Sequence, residues 1–348
     1  MSNPTTPNPE NLAYQKVSVP FQVAWILFGL IWFAIIVQER LTIFNPLEEG
    51  AEIVTITPLV CAQFGGNSSF VTTGLYIERF ITFDMVNNVF TFVGYIWFKY
   101  LPGMLSLENL SKFSFIQGEI IDKSPPVTQM IDKQLLTTFR IRVKLSSLLN
   151  YKDFPFDGHK LRITMFHNGF SPDEVLFQSG EQDLVIKTTQ GELGWHEVNL
   201  NVDAGYMASN MDTNDKRNTQ YHPAVTFEID YVRFGMRLFL IVILPILILL
   251  YISIFGFSLD ADSAVRNSIG SLTGILSYRF VIDHMSPNVS YFIISDRVFF
   301  LIAALAGATL IIHIIALYKI KMTLRLKQLI IITIHLLLNG LSTYFFFM

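Results

Sequence analysis

The chain has 348 residues, of which 51% are hydrophobic and 15% are charged, and its mean hydropathy is +0.43. This composition indicates an integral membrane protein with room for one water-soluble domain. The formal net charge of −3 gives no indication of nucleic-acid binding, and the lone cysteine, Cys61, excludes a disulfide within one chain.

The first segment, residues 1–18, is rich in Pro, Asn and Thr and shows no periodicity. We predict that it is a disordered cytoplasmic tail. An apolar stretch, Phe21–Val37, follows within residues 19–40 and is long enough to cross a bilayer. No small-residue cleavage site follows it and only Lys16 precedes it, so we interpret it as a transmembrane anchor rather than a signal peptide.

Residues 41–232 are predicted to form an antiparallel β-sandwich, of about 190 residues. Apolar and polar residues alternate in several short segments, as expected of half-exposed strands. Turn residues such as Ser124-Pro125-Pro126 separate these segments. The clearest predicted strands are Val89–Lys99, Thr138–Leu145, Leu161–Met165 and Val225–Tyr231.

Residues 233–348 contain four further candidate spans, which predicts a C-terminal four-helix transmembrane domain. The loop between the last two spans contains Lys319, Lys321, Arg325 and Lys327 and no acidic residue, so the positive-inside rule places it in the cytoplasm. Counting back through the spans places the β-domain on the opposite side and the N-terminus in the cytoplasm. The four spans are Leu238–Phe257, the amphipathic Ser263–Met285, Val298–Tyr318 and Leu329–Met348.

The span Ser263–Met285 is polar along one face. At 100° per residue its polar side chains fall within a sector of roughly 80°, and the apolar side chains that fall opposite are Ala264, Leu272, Ile275 and Ile282. An ionised side chain at bilayer depth costs roughly 2.5–3.5 kcal/mol, so Arg266 needs a cavity, a partner or a pore. Small polar residues also let membrane helices pack closely, so this helix alone predicts a pore lining and an interhelical seam about equally. The polar sector contains Asp262, Arg266, Gly270, Thr273, Ser277 and His284.

Three segments resemble one family, the pentameric ligand-gated ion channels, in the prokaryotic form without cysteines. Tyr151–Leu161, which reads Tyr-Lys-Asp-Phe-Pro-Phe-Asp-Gly-His-Lys-Leu, is similar to the signature loop of the family, and Ser147 and Leu161 stand where animal receptors carry two cysteines. Arg233 with Pro245 twelve residues later resembles the junction between the last strand and the first channel helix. Ser286–Asp296 resembles the linker between the second and third channel helices.

The resemblance covers about Ala51–Met348, and Thr73–Ile77 and Gly94–Tyr100 are similar to a bacterial branch with an added N-terminal span. That span departs from the usual four-helix pattern. The resemblance implies a homopentamer in the bacterial cytoplasmic (inner) membrane, with the β-domain periplasmic or extracellular. An external small molecule, or protons, would open a pore lined by residues 263–285 to permeant ions; no cofactor and no metal are implied.

Aligned without a gap from Pro287, the resemblance assigns a row of pore-lining positions. The hydrophobic gate of the family usually has Leu or Ile where Thr273 stands, so we expect the gate elsewhere, for example at Phe280. A two-residue gap would instead place Ile275 at the gate and Arg266 at the inner mouth, and both registers stay open. The predicted pore-lining residues are Asp262, Arg266, Gly270, Thr273, Ser277, Phe280 and His284.

Five Arg266 side chains in a ring would favour anions, because charged rings set selectivity electrostatically. Asp262, one turn closer to the cytoplasm, would offset that charge. We therefore expect a weak preference for anions if Arg266 points into the pore.

The resemblance also implies how a signal reaches the pore. The loop Phe154-Pro155-Phe156-Asp157 would press on the linker Ser286–Tyr291, which includes Pro287, and Arg233 would pair with Asp157. The alternative is that Asp157 is a turn carboxylate without a partner.

Ligand contacts in the family are aromatic residues from several loops, which bind cationic amines through cation–π attraction. Aromatic residues at alternate strand positions are more often part of a core. Protons are another candidate signal, because His159, His167, His196 and His222 lie in the external domain and histidine titrates near neutral pH. The predicted ligand contacts are Trp97, Tyr100, His167, Phe170, Tyr206 and Tyr221.

The sequence argues against one other class of protein and leaves a second one open. His196-Glu197 begins like a zinc-protease motif, but Leu200 stands where the second histidine is required, and no nucleotide-binding or nucleophile motif is present, so we expect no enzyme. The second alternative is a non-conducting envelope receptor or assembly protein with the same fold, because fold does not fix function.

Overall fold

A computed structural model describes residues 16–44, 53–55, 57, 62, 64–65, 68–84, 87–103, 105–187, 194–210, 219–233, 235–318 and 322–347. The chain divides into two compact units. The helical unit comprises Met1–Phe44, Tyr151–Asp157 and Phe234–Met348, and the β-unit comprises Asn45–Asn150 and Gly158–Arg233. Most of the predicted tail 1–18, the basic residues Lys319 and Lys321, and most of the hydrophilic stretch 208–220 lie outside the described residues.

The described residues of the helical unit form six α-helices. Four described segments are long and apolar enough to cross a membrane: Val19–Leu41, Gly235–Ser258, Ile294–Tyr318 and Leu324–Phe347. Because the last helix begins at Leu324, Arg325 and Lys327 belong to its first turn and not to the loop in which they were predicted. The helices are α1 (Val19–Leu41), α3 (Gly235–Val242), α4 (Leu244–Phe255), α5 (Ala261–Met285), α6 (Ile294–Tyr318) and α7 (Leu324–Phe347), with a short α2 (Leu107–Leu110) in the β-unit.

Helix α5 is the fifth predicted span, and its composition does not mark it as a membrane helix. Its 25 residues correspond to about 37 Å, enough to span a hydrocarbon core of about 30 Å. Asp262, Arg266, Arg279 and Asp283 make it too polar for the apolar set. Apolarity therefore assigns four spans rather than five, and the crossing of the membrane by α5 stays a prediction.

The break between α3 and α4 follows from Pro245, which has no backbone N–H to donate to the carbonyl of Ile241. The Tyr278 hydroxyl on α5 donates to that Ile241 carbonyl at 2.5 Å. A side chain of the polar helix thus satisfies a backbone group that proline leaves open, and it fixes α5 against the break.

Helix α1 packs along α7 over most of its length. The Trp32 indole N–H donates to the Thr343 hydroxyl at 3.0 Å, and the rings of Phe33 and Phe346 contact edge to face, with centroids 6.3 Å apart. A Cβ at Gly29 would collide with the hydroxyl of Tyr251, so α1 also lies close to α4 at this glycine. The predicted anchor is therefore an integral part of the helical unit and not a loose tether.

The β-unit is one continuous sheet of the twelve described strands, ordered β1-β11-β12-β8-β4-β5-β7-β3-β2-β10, with β6 on β7 and β9 on β2. The pairs β2–β9 and β2–β10 are parallel, and the others are antiparallel. The strands are β1 (Ile53–Thr55), β2 (Ser69–Asp84), β3 (Val89–Tyr100), β4 (Phe113–Phe115), β5 (Gly118–Lys123), β6 (Val127–Ile131), β7 (Gln134–Ser146), β8 (Gly158–His167), β9 (Val175–Gln178), β10 (Leu184–Ile186), β11 (Trp195–Asn210) and β12 (Thr219–Arg233).

All four segments predicted as the clearest strands are strands, within β3, β7, β8 and β12. Their apolar faces form an aromatic-rich core. Tyr231 on β12 contacts Phe80 and Phe83 on β2, with ring centroids 6.4 and 5.0 Å apart, although several strands separate β12 from β2 in the sheet order. Distant strands of the sheet therefore face each other across this core.

Candidate pore helix and coupling loop

The polar face of α5 points away from the other helices of its own chain. All seven predicted pore-lining residues are exposed, and Phe280, at 79% exposure, is the most open large apolar side chain of the described residues. On the opposite face Ala264, Ile275 and Ile282 are fully buried, and Leu272 is half-buried. The amphipathic pattern read from the sequence is therefore present in three dimensions.

A separate row of small polar residues forms the seam between helices. The Ser253 hydroxyl on α4 bonds to the Ser268 hydroxyl at 3.2 Å, and Ser268 bonds to Nδ1 of His313 on α6 at 2.8 Å. All three side chains are fully buried. Since the seam uses the buried face of α5, it does not account for the exposed polar face.

The two registers left open by the sequence differ in their fit to this geometry. Thr273 is exposed, whereas Ile275 is fully buried among apolar side chains of its own chain. The gapped register, which places Ile275 at the gate, therefore does not fit. The exposed stripe also carries Ile269 and Leu276, which the sequence reasoning did not select as gate residues.

Arg266 and Asp262 form an ion pair one helical turn apart, and both side chains are largely exposed. The pairing brings a carboxylate to the guanidinium at the N-terminal end of the stripe. A ring of such pairs carries no net charge, so it weakens the electrostatic basis for the expected anion preference.

A second charged cluster lies at the other end of α5, and the sequence reasoning missed it. Arg279 contacts Asp283 at 2.7 Å and Asp296, in the first turn of α6, at 2.5 Å. Its guanidinium also lies 5.4 Å from the ring centroid of Phe299. Asp296 in turn accepts the N–H of Ile293 at 3.2 Å. This cluster ties the end of α5 to the start of α6 across the linker 286–293.

The signature-like loop is hydrogen-bonded to that linker and to the start of α6. The Tyr151 N–H donates to the Tyr291 hydroxyl at 2.9 Å. The N–H of Ile294 donates to the carbonyl of Lys152 at 3.0 Å, and that of Ser295 to the carbonyl of Phe154 at 3.2 Å. The hydrogen bond to Tyr291 comes from Tyr151, and Phe154 of the predicted loop bonds to Ser295, beyond the predicted Ser286–Tyr291 segment. The contact of Phe154–Asp157 with Ser286–Tyr291 stays a prediction.

The Phe-Pro-Phe-Asp core of this loop is buried. Phe154, Phe156 and Asp157 are nearly inaccessible, Pro287 of the linker is buried, and the Phe154–Pro155 bond is cis. Phe156 packs on Phe346 near the end of α7, with ring centroids 5.2 Å apart. These contacts explain why the loop groups with the helices and not with the strands that flank it in sequence.

Helix α1 also reaches this loop. Arg40, in the last turn of α1, forms an ion pair with Asp153 and donates to the carbonyl of Ile43 at 3.3 Å. No sequence signal identified this pair, because the two residues are far apart in the chain and neither belongs to a periodic pattern.

The predicted pair of Arg233 with Asp157 stays a prediction. Within the β-unit, the Arg233 guanidinium lies 4.1 Å from the ring centroid of Trp195.

The six predicted ligand contacts separate into a buried group and an accessible one. Tyr100, His167, Phe170 and Tyr206 are buried, because each has less than a tenth of its surface exposed. The Tyr100 hydroxyl bonds to the Thr137 hydroxyl at 3.0 Å. Trp97 is half-buried and lies over Gly74 of β2. The buried group therefore offers little free surface to a ligand.

Tyr206 and Tyr221 form one aromatic cluster with the half-buried Phe64, which the sequence reasoning missed. The ring centroid of Phe64 lies 5.0 Å from that of Tyr206 and 5.7 Å from that of Tyr221, and the two tyrosines are 5.5 Å apart. Tyr221 is exposed, and Tyr206 faces the interior of the cluster. Three rings at such angles offer both faces and edges to a bound group.

His167 has the environment of a structural histidine. Its Nε2 bonds to the Asn109 carbonyl at 2.8 Å, its Nδ1 accepts the Gly169 N–H at 3.1 Å, and its ring stacks on Phe170 at 4.1 Å. Burial lowers the pKa of His167 to about 4. Because this value lies well below neutrality, His167 is a poor sensor of protons near pH 7.

No protein-family model matches the chain, and a search among curated proteins finds no match. The resemblance to the pentameric channels therefore rests on the quoted residues alone and is a prediction.

Proposed function

We propose that the protein is a homopentameric ligand-gated ion channel in which α5 of each subunit lines the pore. The observation that carries this proposal is the exposed polar stripe on α5, whose opposite face is sealed by apolar helices of the same chain. A charged and hydroxyl-bearing stripe is costly against lipid and has no use in the seam of the single chain. Five copies with their stripes inward would surround water.

The proposed placement in the membrane follows from the sequence and fits the helices. The four apolar helices and α5 would cross a bacterial cytoplasmic membrane, with the N-terminus inside and the β-unit in the periplasm or outside the cell. The strand order and the contacts of Tyr231 with Phe80 and Phe83 support a two-layered β-sandwich for the β-unit. Such a domain would serve as the sensor.

For signal transfer, we infer that the loop Tyr151–Asp157 carries movement to the pore helix. Its carbonyls hold the first turn of α6, and Arg279 ties that turn to the end of α5. A displacement of the loop would therefore move the first turn of α6 through the backbone hydrogen bonds, and the end of α5 through the charged cluster of Arg279.

For the ligand, we infer an aromatic or cationic small molecule bound at the cluster of Phe64, Tyr206 and Tyr221. Tyr221 is the exposed member of the predicted aromatic set, and its ring lies beside those of the half-buried Phe64 and the buried Tyr206. Cation–π attraction of an amine to such rings is worth about 0.5–2 kcal/mol each.

The first test is the mass of the intact assembly in mild detergent by native mass spectrometry. A pentamer has a mass near five times 39.7 kDa, and a monomer or dimer that persists across detergents would refute the ring. The second test is current across a planar bilayer after reconstitution, with Phe280→Ala and Ser277→Ala as pore variants.

A pentamer that passes no current under a broad ligand screen would favour the non-conducting receptor. Two observations favour that alternative: the Arg266–Asp262 pair removes net charge from the stripe, and Phe280 places a large ring on it. A channel current that changes in Ser277→Ala would exclude it, because a non-conducting receptor passes no current.

A further inference from the structure

The β-unit contains a cavity of about 310 Å³ that no part of the channel proposal uses. It lies on strands β2, β3, β7 and β5, which are neighbours in the sheet. Four cationic side chains line it, Arg79, Arg140, Arg142 and Lys123, against the single carboxylate of Asp122. An excess of positive charge in a concave site attracts anions, since the low-dielectric walls focus the field.

Strand register explains how these side chains meet. Arg79 lies opposite Val93, Val93 opposite Arg142, and Arg142 opposite Asp122, so the four residues form one row across the sheet. Directly opposed residues point to the same face. Irregular pairing occurs next to Arg79 and next to Asp122, at both ends of the row. Such bulges bend a strand and redirect side chains, which produces the concavity.

The cationic groups differ in whether they are already occupied. The Arg140 guanidinium forms an ion pair with Glu78 at 3.2 Å, and the Lys123 ammonium donates to the Ser111 carbonyl at 2.7 Å. Within the described residues, neither Arg79 nor Arg142 has an ion pair. Two guanidiniums are therefore available to a ligand, on strands separated by one intervening strand, or about 10 Å between backbones.

We propose that this cavity binds a small organic dianion, held at each end by the guanidinium of Arg79 or Arg142. The arginine fork matches carboxylate and phosphate groups in a bidentate manner. The volume is at the lower end for small-molecule sites, about 300–1,000 Å³, and suits a short dicarboxylate. The site lies within one chain and does not depend on a neighbouring subunit or on conduction.

The test is isothermal titration calorimetry of the full-length protein in detergent and low salt, with succinate, acetate and inorganic phosphate as separate titrants. We expect succinate to bind at least tenfold more tightly than acetate, because only a dianion engages both arginines. Tighter binding of phosphate than of succinate would assign the site to phosphate groups. Equal, weak binding of all three would overturn the proposal.

The variants are Arg79→Gln and Arg142→Gln, with Lys144→Gln as the matched control. Lys144 is an exposed cation two residues from Arg142 on the same strand, and it does not line the cavity. Each arginine variant should weaken succinate binding about tenfold or more, and the control should leave it unchanged. Equal losses in all three variants would show attraction to surface charge and no site. If an arginine variant fails to fold, the comparison of succinate with acetate on the unaltered protein still decides the question.

Discussion

The ion pair between Arg40 and Asp153 predicts that helix α1 stabilises the loop Tyr151–Asp157. Removing one partner of a fully buried pair costs about 3–5 kcal/mol, because the other charge is left without compensation. Here the Arg40 side chain is 6% exposed and that of Asp153 is 31% exposed, so solvent screens part of the effect. We therefore expect Arg40→Gln to lower the free energy of unfolding of the helical unit by about 2 kcal/mol.

A double-mutant cycle isolates the pair from other losses. Arg40→Gln also removes the hydrogen bond to the Ile43 carbonyl, so the single variant overstates the pair. Combined with Asp153→Asn, the cycle should give a coupling energy of about 1 kcal/mol. The free energies come from denaturant titration of the purified protein in detergent, followed by tryptophan fluorescence.

Arg237→Gln is the matched control. Arg237 is an exposed arginine in the first turn of α3 and has no ion pair among the described residues. Its substitution should change the free energy of unfolding by less than about 0.5 kcal/mol. A coupling energy indistinguishable from zero, or an equal loss in the control, would refute the view that α1 holds the loop through Arg40.

Three further predictions concern charge and protonation. If the pore proposal is correct, Asp262→Asn should shift the reversal potential toward that of anions, since it leaves Arg266 without its carboxylate, and Arg266→Gln should shift it the opposite way. Asp296→Asn should lower the thermal unfolding midpoint by several degrees, because Arg279 loses the contact at 2.5 Å; an unchanged midpoint would count against the cluster. Burial lowers the pKa of His167 to about 4, so the unfolded chain binds a proton first, and stability should fall as the pH drops from about 6.5 to about 4, by at most about 3 kcal/mol. His167→Gln should flatten that dependence in melting curves, and an unchanged slope would show that other groups cause it.

The elements of the fold that sequence periodicity predicted are those with strong, local patterns. The alternation of Arg140 and Arg142 with Phe139, Ile141 and Val143 identified β7, and burial alternates along it in the same way. The polar and apolar faces of α5 were predicted from the helical period alone, and their exposure agrees. In both cases residues close together in the sequence determine the element and its buried face.

Such patterns do not predict contacts between residues that are far apart in the sequence. Phe64 lies outside any predicted strand, and its ring joins Tyr206 and Tyr221 only because three separate segments converge. Arg279 and Asp296 read in the sequence as isolated charges near the ends of two helices. Their partners depend on tertiary packing, which one sequence does not contain.

The position of α1 bears on whether a ring of α5 helices is compatible with an added span. Helix α1 packs against α7 and α3, whereas α5 packs against α4 and α6. The stripe of α5 that would line the pore stays exposed with α1 in place. In a ring with the stripes inward, α7 and α1 would lie toward the lipid. There, contact of the exposed Leu27, Ile31 and Ile35 of α1 with the hydrocarbon core would be favourable. In such a ring the extra helix would add an outer layer, tied through Arg40 to the loop Tyr151–Asp157, and would leave the inner surface free for a pore.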